Sequence, residues 1–79
     1  MDTSPEKIFS LLPKLSAHDK ELITRACAFA KRAHEGQLRK SGEPYYNHVF
    51  ATGVNLAELK MDADTIAAGI MHDVLEDTI

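Results

Sequence analysis

The chain is predicted to be all-α, a small bundle of about four helices. Three observations predict this. Apolar residues recur at helical spacing in four separate stretches. No stretch sustains the period-two alternation of a half-buried strand. Proline or glycine punctuates the first two joins between the stretches.

Ser4 before Pro5 reads as an N-cap with proline at the first helical position. A short helix follows through Ile8, Phe9, Leu11 and Leu12, and Pro13 ends or bends it. Ser16 caps the second helix, with Asp19 in the first turn complementing the helix dipole. Its stripe is Leu22, Ile23, Ala26, Cys27, Ala30, Ala33 and His34, and it stops at Gly36. The stretch from Gly36 to His48, with two glycines and a proline, reads as a loop. A third helix from about Tyr45 to Lys60 carries Val49, Gly53, Val54, Leu56, Ala57 and Leu59. Asp62 caps a fourth through "DADTIAAGIMHDVLED". That last helix has no stop signal and ends in acidic residues, which its dipole disfavours, so the chain is expected to be a fragment of a longer protein.

Composition narrows the function classes. With 79 residues the chain makes one thin-cored domain, burying about 60–65% of its unfolded surface. A net charge of −3 argues against DNA or another nucleic acid as partner, since phosphate neutralisation needs a basic surface. One cysteine, Cys27, excludes a disulfide framework and reads as a small buried hydrophobe. The start lacks a signal-peptide pattern, and no apolar run approaches the roughly 20 residues of a membrane span. A cytoplasmic location without membrane partners is the expectation.

The closing helix poses the chemical question. His72, Asp73, Glu76 and Asp77 fall within two turns, with His72 one turn from Glu76 and Asp73 one turn from Asp77. Together they form one polar patch, while Ile66, Ile70, Val74 and Leu75 supply the apolar side. Imidazole and carboxylate together suit Mn²⁺, Fe²⁺ or Zn²⁺, and the remaining carboxylates suit a proton acceptor for water. The plain alternative is a solvated helix face. His48, opening the third helix, is a third ligand candidate if that helix packs on the fourth. In the loop, Arg39, Lys40 and Ser41 offer donors to a phosphate, the alternative being an ordinary solvated turn. His34, closing the second stripe, either bonds a loop carbonyl or touches a ligand.

The stretch "FAKRAHEGQLRKSGEPYYNHVFATGVNLAELKMDADTIAAGIMHDVLEDT" resembles the amino-terminal hydrolase domain of the RelA/SpoT family. The resemblance rests on the order A-H-x-G-Q-x-R-K-S-G-E-P-Y, then a histidine, then H-D-x-x-E-D-T. It implies the front part of an HD-domain fold and hydrolysis of guanosine tetra- or pentaphosphate to GDP or GTP and pyrophosphate. By resemblance His48, His72 and Asp73 hold Mn²⁺, with a further aspartate that has no counterpart in this chain. Glu76 and Asp77 activate the attacking water, and Arg39, Lys40 and Ser41 contact the guanine nucleotide. By resemblance the intact His72-Asp73 and Glu76-Asp77 pairs imply a hydrolase-competent parent, of a kind that usually carries a GTP pyrophosphokinase domain as well. Two rival readings are a different nucleotide phosphohydrolase and a helical module that self-associates.

Overall fold

The computed structural model describes residues 2–77, and within the last turns it leaves the side chains of residues 73 and 75–77 undescribed. Asp73, Leu75, Glu76 and Asp77 of the predicted patch and stripe therefore lie outside the described side chains. Four helices run in order: α1 (Glu6–Phe9), α2 (Ala17–Ala33), α3 (Tyr45–Glu58) and α4 (Ala63–Asp77). Among the described residues there is no strand, only an isolated bridge between Leu38 and Pro44. No helix among them is long and apolar enough to cross a membrane.

α1 is shorter than its apolar pattern suggested. Pro5 itself is the N-cap, without a side-chain cap bond, while the Ser4 N–H is drawn to the Asp2 carboxylate at 2.9 Å. After Phe9 the bonds tighten to i→i+3, Leu11 to Ile8 and Leu12 to Phe9, because Pro13 cannot continue the ladder. α2 begins with a full capping box: the Asp19 N–H donates to Ser16 Oγ at 3.0 Å, and Ser16 N–H reaches back to the Asp19 carboxylate.

The core is one cluster on which α2 and α3 both pack against α4. Ile23, Ala26, Cys27 and Ala30 face it from α2, and Ala63, Ile66, Ala67, Ile70 and Val74 from α4. Alanine on both sides keeps the axes close, and the isoleucines fill the remaining space. Full burial of each isoleucine contributes roughly 1.5–3 kcal/mol. Phe50 and Ile8 complete the cluster from α3 and α1. Not every apolar residue in the predicted stripes is inside: Leu59 is more than half exposed.

α3 ends two residues earlier than its pattern suggested, at Glu58, in a Schellman turn. The Met61 N–H donates to the Leu56 carbonyl and the Lys60 N–H to that of Ala57, with Lys60 at φ +60°. A left-handed lysine costs about 1 kcal/mol that glycine avoids. Lys60 stays useful because its Nζ donates to the Leu11 carbonyl at 2.7 Å, tying the end of α3 to the segment after α1. Lys60→Ala keeps the strain and loses the bond, so it should lower stability by about 1 kcal/mol in urea unfolding. Lys60→Gly loses the bond but relieves the strain, and should come out near neutral. Asp62 then caps α4, its Oδ1 accepting from the Thr65 N–H at 2.8 Å. The Thr65 hydroxyl and N–H together hold the Asp62 carboxyl below its ordinary range.

Candidate functional site

The segment between α2 and α3 is a closed turn, not an open loop. Arg39 N–H donates to the Glu43 carbonyl and Gly42 N–H to that of Arg39, each at 2.8 Å, with Gly42 at φ +87° where a side chain would be strained. Tyr45 N–H donates to the Gln37 carbonyl at 2.9 Å, which fixes the turn to the first residue of α3. Arg39, Lys40 and Ser41 are all exposed on it. Beside them lies an open groove of about 650 Å³ lined by Leu38, Arg39, Lys40, Ser41 and Tyr45. Backbone order here presents the cationic side chains so that an anion can be met without reordering the main chain.

His48 is exposed near the start of α3. The fixed turn brings Arg39 Nη1 to 3.4 Å from His48 Nδ1. The Tyr45 ring lies edge-on to His48 at 5.8 Å, and Tyr45 is in turn 4.9 Å from the ring of His34. His34 is buried as the C-cap of α2; its Nδ1 meets the side-chain carbonyl of Gln37 at 2.7 Å, and its Nε2 has no bonding partner. The structure therefore makes His34 an inner support of this corner. The partner it takes is an amide side chain, where the sequence suggested a loop carbonyl or a ligand. Tyr45 was not singled out in the sequence, although a position three before His48 on a helix shares its face.

Close packing of α3 on α4 puts the two histidines at one end of the bundle. Gly53 of α3 lies against Ile70 of α4, and Gly69 of α4 against Leu56 and Thr52 of α3. Only four residues link the two helices, so helices packed side by side in this way must run antiparallel. His48 lies from Gly53 toward the start of α3, and His72 lies from Ile70 toward the end of α4. In an antiparallel pair these directions coincide. His72 is exposed there. Among the described residues no three His, Cys, Asp or Glu side chains cluster to hold a metal. Asp73, Glu76 and Asp77 are not part of that comparison, so the predicted set is represented by its two histidines alone. The two exposed imidazoles are nitrogen donors of the type that suits a borderline divalent ion.

The corner beneath is apolar and neutral. Burial pushes the Cys27 thiol up, a rise that the Tyr46 hydroxyl opposes by bonding the sulfur. Burial, then the neighbouring Cys27, pushes the Tyr46 phenol up as well.

The chain is similar to known proteins. A family model described as an HD domain matches residues 26–79. A GTP pyrophosphokinase of Streptomyces coelicolor is 48% identical over 66 residues, 84% of this chain and 8% of that protein. The bifunctional (p)ppGpp synthase/hydrolase SpoT of Escherichia coli is 50% identical over 56 residues, 71% of this chain and 8% of its own length. A guanosine-3′,5′-bis(diphosphate) 3′-pyrophosphohydrolase of Aquifex aeolicus is 49% identical over 73 residues, covering 92% and 10% respectively. The chain belongs to the HD-domain family, in its RelA/SpoT branch. It spans about a tenth of the length of these relatives.

Proposed function

We propose that the chain forms the front of a site that hydrolyses guanosine-3′,5′-bis(diphosphate), releasing the 3′-pyrophosphate and leaving GDP. The observation that carries this is the meeting of the cationic turn with His48, at the end of the bundle where His72 and Asp73 lie. The activity for which the Aquifex aeolicus and Escherichia coli relatives are named supports the substrate.

In this reading His48, His72 and Asp73 hold Mn²⁺. When bound, the ion supplies Lewis acidity toward a phosphoryl oxygen and lowers the pKa of water. Glu76 and Asp77 take the proton of the attacking water. Arg39 and Lys40 neutralise phosphate charge from the turn, and Ser41 adds a hydroxyl donor. The bond between the 3′-oxygen and phosphorus breaks, and the proton returns to that oxygen.

The test is Mn²⁺-dependent binding of guanosine tetraphosphate by calorimetry, with pyrophosphate release as the second readout, beside His72→Ala. Binding should weaken at least about tenfold in the variant, and any release should vanish with it. Equal binding and release by both chains would place the chemistry away from α4. A nucleotide panel separates this substrate from that of another HD phosphohydrolase.

A second reading has one observation in its favour. Leu22, Phe29, Ala68 and Met71 border an apolar concavity of about 400 Å³ between α2 and α4, where Phe29 is 54% exposed. A chain that uses this face to self-associate would sediment in a concentration-dependent way regardless of metal.

A further inference from the structure

Arg39 and a metal ion need the same atom pair on His48. A guanidinium has only donors, so at 3.4 Å from Nη1 the His48 Nδ1 is the acceptor. A neutral imidazole carries one proton, which must then sit on Nε2. In that arrangement neither ring nitrogen has a free lone pair, and a metal bond needs one.

We infer that Arg39 is a latch on His48, and that metal and nucleotide release it together. A metal that takes His48 through either nitrogen displaces the Arg39 bond: directly at Nδ1, or at Nε2 by moving the ring proton to Nδ1. The released guanidinium is then free for the groove lined by Leu38, Lys40, Ser41 and Tyr45. An anion that takes Arg39 there removes the competitor from His48. Each ligand therefore tightens the other, and the coupling is reciprocal. The geometry favours a side-chain swing over movement of the turn, because the Arg39 backbone is held at both N–H and carbonyl. The edge-on Tyr45 ring also contacts His48, so the imidazole keeps one neighbour when Arg39 leaves.

The inference rests on His48 being a metal ligand, and the experiment separates the two ideas. Free Mn²⁺ is followed by its electron paramagnetic resonance signal while the nucleotide-free chain is titrated. Arg39→Leu should bind Mn²⁺ about fivefold tighter than wild type, the low end of typical coupling because both groups are exposed. Lys40→Leu removes the same charge from the same turn without touching His48, and should leave the affinity near that of wild type. An unchanged Arg39→Leu affinity, or an equal gain in Lys40→Leu, overturns the latch. If His48→Ala binds as well as wild type, or no variant binds Mn²⁺, the ligand role of His48 and the latch fail together.

Discussion

Replacing Gly53 with valine is expected to destabilise the chain by about 3 kcal/mol, a large part of the roughly 5 kcal/mol available to a core this small. A Cβ at Gly53 would lie 2.9 Å from both Cγ1 and Cδ1 of Ile70 and 3.3 Å from Cδ1 of Ile8. Both isoleucines are completely buried, so neither can give way without opening the core. Alanine at Gly53 gains about 1 kcal/mol of helix propensity, yet the clash still wins and a net loss of about 1 kcal/mol remains. Gly69→Ala is the contrasting case. Its new methyl meets the tip of Leu56, a partly buried but flexible side chain that can change rotamer. There the propensity gain offsets the displacement, and stability should be nearly unchanged. Urea midpoints of the three variants check the contrast; a Gly53→Val no weaker than Gly69→Ala would mean that the α3–α4 approach is not set by these glycines. Any nucleotide or metal binding should fall with Gly53→Val, because the same approach brings His48 and His72 to one end.

The glycine contrast shows where the sequence was informative. Helical spacing located all four helices, and the Ser16 and Asp62 caps stood out because each carries its own local partner, Asp19 and Thr65. Local signals of this kind need no knowledge of tertiary structure. Lys60 in a left-handed turn was not legible, since the usual marker is glycine and the bond that favours lysine comes from Leu11, far off in sequence. The burial of Tyr46 and Phe50, and the exposure of Phe29 and Leu59, were decided by which neighbours covered each helix. For the site, the residue types were legible and their pairing was not. Arg39 and His48 both stood out, but the turn that presses one against the other depends on the Leu38–Pro44 bridge and on the backbone bonds of Arg39 and Gly42.

Alkaline pH should destabilise the corner that supports His48, and Tyr46→Phe should blunt the effect. In the folded chain both the Cys27 thiol and the Tyr46 phenol are pushed up, chiefly by burial. Unfolded, they return to ordinary values near 9 and 10. Above those values the unfolded chain sheds protons that the folded chain keeps, so stability falls as pH rises. Below about pH 9 the contribution is complete. Each group lowers stability by up to about 1.4 kcal/mol per pH unit above its unfolded value. Urea midpoints measured from pH 8 to 11 should therefore drop steeply in wild type. Tyr46→Phe removes the phenol and should show a shallower fall, starting from lower stability at pH 8 because the Cys27 sulfur loses its donor. Parallel slopes in the two chains would mean that Tyr46 does not remain protonated in the fold. The consequence reaches the site because Tyr46 and Tyr45 share the first turn of α3 with His48. Charging Tyr46 would push α3 off α2, and with it the Tyr45 ring that stands between His34 and His48.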